Sequence, residues 1–97
     1  MSNEEIKVIY YVDTDDDTKG TLCAIPSKKD MRDSAVIAKI AEQIKNVFEP
    51  IHQLMGEHSE EIAKAIAHHE YANMFEYEFG VEEIPLLGVH TIILQGC

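Results

Sequence analysis

The chain has 97 residues, of which 18 are acidic and 8 are basic, so its formal net charge at pH 7 is −10. This length fits one acidic domain of residues 1–97, and a hydrophobic content of 45% excludes a wholly disordered chain. A sequence pI near 4.7 excludes the basic face that direct nucleic-acid binding requires, and it disfavours binding to an anionic membrane.

The first quarter of the chain predicts a β-hairpin. β-Branched and aromatic residues alternate with other residues over 5–13, which predicts a first strand. The polar run from Asp13 to Gly20 predicts a turn. The apolar run from Thr21 to Ile25, which ends at Pro26, predicts a second strand that pairs with the first.

A helix is predicted over the next segment because apolar residues recur every three or four positions across residues 36–48. Two starts are open for this helix. Ser27 and Asp30 have the spacing of a capping box, while Asp33 or Ser34 is a competing N-cap.

Pro50 interrupts the apolar stripe, which Ile51, Leu54 and Met55 continue. Either one helix kinks at Pro50, or a second short helix begins with Pro50 as its first residue. Gly56 should end this stripe, and Ser59 should cap a further helix over residues 60–71. The predicted inner face of that last helix consists of Ile62, Ala65, Ile66 and His69.

The last third of the chain returns to strand patterns. Aromatic and acidic residues alternate over 75–79, which predicts a third strand ending at Gly80. Pro85 and Gly88 bracket a turn, and residues 89–94 predict a final buried strand. The order β-β-α-(α)-β-β predicts an α+β fold, with a four-stranded antiparallel sheet and helices packed on one face.

The two cysteines and the N-terminus bear on the compartment. Cys23 and Cys97 lack the spacing of a disulfide framework, which favours a reduced protein. The first residues do not resemble a signal peptide, and no apolar run reaches the roughly 18 residues of a membrane span. The sequence therefore predicts a cytoplasmic protein.

Asp13, Asp15 and Asp17 have the spacing with which an EF-hand calcium loop begins. Such a loop also needs glycine at its sixth position and glutamate at its twelfth. Thr18 and Ala24 stand there instead, so a solvated hairpin tip is the favoured interpretation.

Histidines offer a second metal candidate. His58 and Glu61 are one helical turn apart, and His68 and His69 are adjacent, whereas a structural zinc site needs four converging ligands. The sequence also lacks a phosphate-binding loop, a nucleophile elbow and a Cys-x-x-Cys pair. It therefore predicts a protein that is not an enzyme, with no catalytic residue, cofactor or metal, and leaves a His/Glu metal-dependent enzyme as an alternative.

The charge is unevenly distributed: residues 1–26 carry −4, residues 27–45 carry +2 and residues 46–97 carry −8. In an extended strand, residues i and i+2 share a face about 6.6–6.8 Å apart, so acids at that spacing can present charge at a phosphate-like interval. Acids on a solvated strand face can equally serve solubility alone. The candidate partner-binding residues are Asp13, Asp15, Asp16, Asp17, Glu76, Glu78, Glu82 and Glu83.

In its size and acidic composition, the chain resembles the small host-takeover proteins of bacteriophages, several of which mimic DNA. The features that carry this resemblance are the run at residues 13–17, the absence of Lys and Arg after Lys64, and the acids Glu70, Glu76, Glu78, Glu82 and Glu83. Within that class, it resembles the inhibitors of the bacterial histone-like protein HU that act as dimers.

The resemblance implies a non-enzymatic inhibitor whose acidic face occupies the DNA-binding surface of a basic bacterial host protein such as HU. It further implies a homodimer in the cytoplasm of the host cell. A small-molecule or nucleotide-binding domain, with a pocket between helices and sheet, is the alternative from another class.

Overall fold

The computed structural model describes residues 5–85, which form four strands and three helices in the order β-β-α-α-α-β-β. The strands are β1 (Glu5–Asp13), β2 (Thr18–Pro26), β3 (Tyr71–Met74) and β4 (Tyr77–Pro85). The helices are α1 (Ser34–Phe48), α2 (Gln53–Glu57) and α3 (Ser59–His69). The strands form one antiparallel sheet in the order β2-β1-β4-β3. The predicted α+β class, with a four-stranded antiparallel sheet and helices on one face, is confirmed.

β1 lies inside the sheet because β2 pairs with one of its edges and β4 with the other. Its side chains alternate between two faces, and Ile9 belongs to the main core shared with the helices. Ile6 and Val8 belong to a second, smaller cluster with Ala24 of β2. The strand predicted over residues 5–13 is confirmed at both ends.

Phe48, the last residue of α1, connects the helices to the sheet through aromatic contacts. Its ring is fully buried, with its centroid 4.9 Å from that of Tyr11, 4.7 Å from Tyr77 and 5.9 Å from Phe79. All three contacts have edge-to-face geometry, which adds about 0.5–1.5 kcal/mol per pair beyond the burial of area. The end of α1 is therefore fixed over β1 and β4.

The N-cap of α1 is Asp33, whose carboxylate accepts a hydrogen bond of 2.8 Å from the backbone N–H of Ala35. This arrangement satisfies one of the amides that the first helical turn leaves without a partner. Asp30 instead accepts a bond of 2.9 Å from the Arg32 N–H, in the turn before the helix. Of the predicted starts, the capping box at Ser27 and Asp30 is wrong.

The helical stripe breaks after Phe48 instead of kinking at Pro50. Pro50 lies in a turn, and α2 begins only at Gln53, so the prediction of Pro50 as a first helical residue is wrong. Gly56 was predicted to end the stripe, but it lies within α2, which continues to Glu57.

α3 ends two residues before the predicted limit because Glu70 takes a left-handed conformation, with φ of 56°. Its N-cap is His58 and not the predicted Ser59. The apolar side chains it buries are Ile62, Ala63, Ile66 and Ala67. Ala65 is only half-buried and His69 is exposed, so the predicted inner face is wrong at these two positions.

The strand predicted over residues 75–79 is confirmed at residues 77–79, which belong to β4, and is wrong at Phe75 and Glu76, where the chain reverses between β3 and β4. Phe75 has φ of 58°, a conformation that a bulky residue rarely adopts. The alternation of aromatic and acidic residues continues across this turn, so the pattern could not locate it. The predicted turn residue Gly88 and the final strand predicted over residues 89–94 lie outside the described residues.

Two glycines in strands are each covered by a tyrosine of β1. Gly80 lies within β4 and does not end a strand as predicted; a Cβ at this position would lie 2.5 Å from Tyr10 Oη. Gly20 of β2 stands in the same relation to the ring of Tyr11, on the opposite side of the sheet. Both rings therefore use space that only a glycine leaves open.

Phe48→Ala is expected to lower the free energy of unfolding by about 3–5 kcal/mol, because it leaves a cavity where three rings converge. Urea denaturation followed by circular dichroism measures the change. Phe75→Ala is the matched control: this ring is 45% exposed, and its loss should cost under about 1 kcal/mol. Equal losses in the two variants would show that Phe48 does not anchor the core.

Candidate protein-binding surface

Two turns lie side by side at one end of the sheet: residues 14–17, between β1 and β2, and residues 75–76, between β3 and β4. They share this end because β1 and β4 are antiparallel neighbours with Asp13 opposite Tyr77. Thr14 joins the turns, since its backbone N–H and its hydroxyl donate to the Glu76 carbonyl at 3.0 and 2.9 Å. Residues 62 positions apart in sequence thus become direct neighbours.

These turns, together with the last residue of β1, bring together five of the eight predicted partner-binding residues. We call the group the acidic end; its members are Asp13, Asp15, Asp16, Asp17 and Glu76. Asp13 is half-buried, and the other four are exposed. Neither turn contains a lysine or arginine, so the two turns form an anionic surface.

The carboxylates at residues 13–17 do not form the predicted period-two ladder, because the backbone turns there. The Asp17 N–H donates to the Asp13 carbonyl at 2.8 Å, and Asp17 has a left-handed φ of 61°. Two carboxylates close the turn: Asp13 accepts from the Asp15 N–H at 2.9 Å, and Asp16 accepts from the Thr18 N–H at 3.0 Å. The acids are therefore clustered on a turn and not spaced along a strand.

Two groups at this end have shifted pKa values, Asp16 through hydrogen bonds and Tyr77 through burial and neighbouring charges. Hydrogen bonds from Thr18, first from its side chain and then from its backbone, hold the pKa of Asp16 below the ordinary value of an aspartate. Burial raises the pKa of Tyr77, and the negative charges of Asp13, Glu76 and Asp16 add to that effect. Carboxylates from both turns thus act on one ring beneath them.

The other three predicted acids lie along β4 and are not gathered at the acidic end. Glu78 lies beside Tyr71, whose pKa is raised first by burial and then by the Glu78 charge. Glu82 is paired, with its Oε1 2.9 Å from Lys19 Nζ. Glu83 is exposed and lies opposite Lys7 in the register, toward the far end of the sheet.

The structure also exposes apolar residues that sequence reasoning placed inside. Ile51 is 73% exposed and Leu54 is 50% exposed, although both continue the helical stripe. Phe75 lies with its ring centroid 5.1 Å from that of His52 and 6.1 Å from that of His58. The break at Pro50 was the one sequence signal that the stripe changes direction here.

The alternative metal sites are not assembled in the described part of the chain. Within residues 5–85, no three side chains of His, Cys, Asp or Glu converge as metal ligands. The predicted neighbours His58 and Glu61 do meet, with Nδ1 and Oε1 3.0 Å apart, but only as an exposed pair. His68 and His69 are exposed near the end of α3.

An open groove of about 810 Å³ runs between α1 and α3 and is a candidate site for a small molecule, although it lies between helices and not between helices and sheet as predicted. Its lining combines apolar residues such as Ile37 with charges of both signs, including Lys45, Glu60 and Lys64. The groove is separate from both turns of the acidic end, since it has no lining residue from β1, β2 or the β3–β4 turn.

The chain matches no protein-family model, no curated protein and no solved structure with which it was compared. Among residues 5–85, no helix has both the length and the apolar character needed to cross a membrane. The function is therefore argued from the geometry and charge of the acidic end.

Thr18→Ala is expected to raise the pKa of Asp16 toward its ordinary value, because the variant removes the hydroxyl that favours the carboxylate. Since the pKa of Asp16 is depressed on folding, its contribution to stability is present at neutral pH and is lost as the pH falls through the depressed pKa. Carbon-13 NMR titration of the Asp16 carboxyl measures the shift. Thr21→Ala, on the exposed part of β2, is the control and should leave the midpoint in place; an unchanged midpoint in Thr18→Ala would contradict the assignment.

Proposed function

We propose that the protein is a non-enzymatic inhibitor that mimics DNA, with its acidic end occupying the DNA-binding surface of a basic bacterial protein such as histone-like HU. The observation that carries the proposal is the hydrogen bonding of the two turns through Thr14 and Glu76, which concentrates five acids at one end of the sheet. In this mechanism, carboxylates take the place of phosphates against lysine and arginine side chains.

The concentration of negative charge at the acidic end lowers the stability of the fold and at the same time favours binding to a basic partner. Mutual repulsion among the acids disfavours the compact state, and a basic partner relieves that repulsion. The same field accelerates encounter with a positively charged surface, and salt screens the attraction. Binding should therefore be fast at low ionic strength and weaken as salt is added.

The turn hydrogen bonds support such binding. Asp13 and Asp16 are held by backbone amides at 2.9 and 3.0 Å, so these two carboxylates are oriented before a partner arrives. A group that is already oriented loses less conformational freedom when it binds. The proposal includes the cytoplasm of a bacterial host as the location and a homodimer, which presents two acidic ends to its partner.

A second candidate function, binding of a small molecule or nucleotide, is favoured by the groove between α1 and α3. A ligand that binds the folded chain raises its melting temperature in the absence of any protein partner. A thermal-shift panel of nucleotides and metabolites tests this function. A stabilising ligand whose effect disappears in a Lys45→Glu, Lys64→Glu double variant would favour it over DNA mimicry.

Displacement of DNA from HU is the direct test of the first proposal. Fluorescence anisotropy follows a labelled duplex that is bound to purified bacterial HU while the protein is added. We expect the anisotropy to fall to that of free duplex, with less displacement at higher salt because the competing attraction is electrostatic. Full retention of the duplex at low salt would overturn HU as the partner.

Substitutions that remove charge from the acidic end test whether this surface contacts the partner. The triple variant Asp15→Asn, Asp17→Asn, Glu76→Gln should weaken displacement by about tenfold, since three exposed ion pairs contribute about 0.5 kcal/mol each. Asparagine tolerates the left-handed conformation at position 17, so the turn is preserved.

The matched control removes the same amount of charge elsewhere. Its substitutions, at exposed positions on β1, α1 and α3, are Glu5→Gln, Glu42→Gln and Glu60→Gln. This control should displace DNA nearly as well as the unaltered protein. Equal weakening in both triple variants would mean that total charge, and not the acidic end, governs binding.

A further inference from the structure

A group of exposed large apolar side chains lies in the α1–α2 connection, in α2 and in the β3–β4 turn, which belongs to the acidic end. We call it the apolar patch; its members are Ile51, Leu54 and Phe75, which are 73%, 50% and 45% exposed. The ring of Phe75 reaches His52 and His58, the residues that flank α2. Single exposed apolar residues are ordinary, whereas several together typically mark a binding surface.

Exposed acids surround this patch. Glu76 follows Phe75 directly, and Glu61 contacts His58 with Oε1 3.0 Å from Nδ1. Glu49 packs against Gly56 of α2, and Glu57 is the next residue. Glu57 and Glu61 also line the groove that contains Lys45 and Lys64, whereas Glu76 has no lysine or arginine within ten residues on either side in sequence.

The backbone of Phe75 gives an independent indication. A left-handed φ is costly for a bulky aromatic residue, and asparagine or glycine would close this turn at lower cost. Strain of this kind persists only where the surrounding structure imposes it, and the Phe75 ring is held here against His52 and His58. The ring is exposed at the boundary between the apolar patch and the acidic end, which is where a partner would meet both.

We infer that the apolar patch binds an apolar side chain that projects from a basic protein surface, with the surrounding acids contacting the Lys and Arg residues beside it. This inference rests on the proposed function for the basic character of the partner and adds the apolar anchor. Proteins that bend DNA commonly insert such an apolar wedge between base steps while basic groups hold the phosphates. In this comparison with bent DNA, the apolar patch takes the place of the opened base step. The acids around the patch take the place of the adjacent phosphates.

Two synthetic peptides separate the apolar contribution from the electrostatic one. The first has one phenylalanine between two runs of four lysines, and the second has glycine in place of the phenylalanine. Nitrogen-15 NMR spectra of the labelled protein should show shifts at the acidic end with both peptides. Shifts at residues 51–58 and 75 should appear only with the phenylalanine peptide, which should bind about fivefold more tightly.

Variants of the protein test whether the tighter binding of the phenylalanine peptide comes from the apolar patch. Leu54→Ser with Phe75→Asn removes two of the three apolar side chains of the patch and keeps at position 75 a residue that tolerates the left-handed turn, so most of the fivefold preference should be lost. Tyr71→Ser, at another exposed aromatic residue, is the control and should retain the fivefold preference. The spectrum of each variant without peptide verifies its fold.

Three outcomes would overturn the inference. Shifts at the acidic end with both peptides, but none at the patch, would remove the apolar anchor and leave the proposed function standing. Absence of shifts with either peptide, together with retention of duplex by HU, would remove both proposals. A dimer in sedimentation that Leu54→Ser and Phe75→Asn convert to monomer, with a patch unresponsive to peptide, would show that a second copy covers the patch.

Discussion

The antiparallel pairing of β1 with β4 is the constraint on which both the core and the candidate surface depend. It joins a strand from the start of the described chain to one from its end, with Asp13 opposite Tyr77. On the helix-facing side, this register places Tyr11, Tyr77 and Phe79 around Phe48. At its end, the same register brings two acidic turns into contact. A slip of one residue would reverse the faces of β4 and separate the aromatic cluster from the helices.

The crowded carboxylates of the acidic end lie within a few residues of the apolar core. The acidic end is crowded with carboxylates, and the ring of Tyr77 lies directly beneath it in the aromatic cluster. Backbone amides of the first turn satisfy two of the carboxylates, and Thr14 ties that turn to its neighbour. The acidic end can therefore hold like charges together because it is connected to the aromatic cluster around the fully buried Phe48 ring.

Sequence patterns predicted features set by local interactions and missed those set by distant ones. The alternation in residues 5–13 located β1, and a short polar side chain before an apolar stripe made Asp33 one of the possible caps. The reversal at Phe75 was missed because its alternating pattern continues and an aromatic residue is an unusual choice for a left-handed position. The proximity of Glu76 to residues 13–17 was also beyond prediction, since it follows from strand order. The acids were identified as a set, but their grouping required the sheet.

The two tyrosine–glycine contacts across β1 have a consequence for how this sequence can vary. Tyr10 covers Gly80 and Tyr11 covers Gly20, on opposite sides of the sheet and in different strand pairs. Enlarging either glycine alone forces a ring to move, whereas a smaller residue at the partner position restores the space. Positions 10 and 80, and separately 11 and 20, should therefore change in concert among divergent descendants of this chain. Such paired substitutions would reveal from aligned sequences that β1 pairs with both β4 and β2.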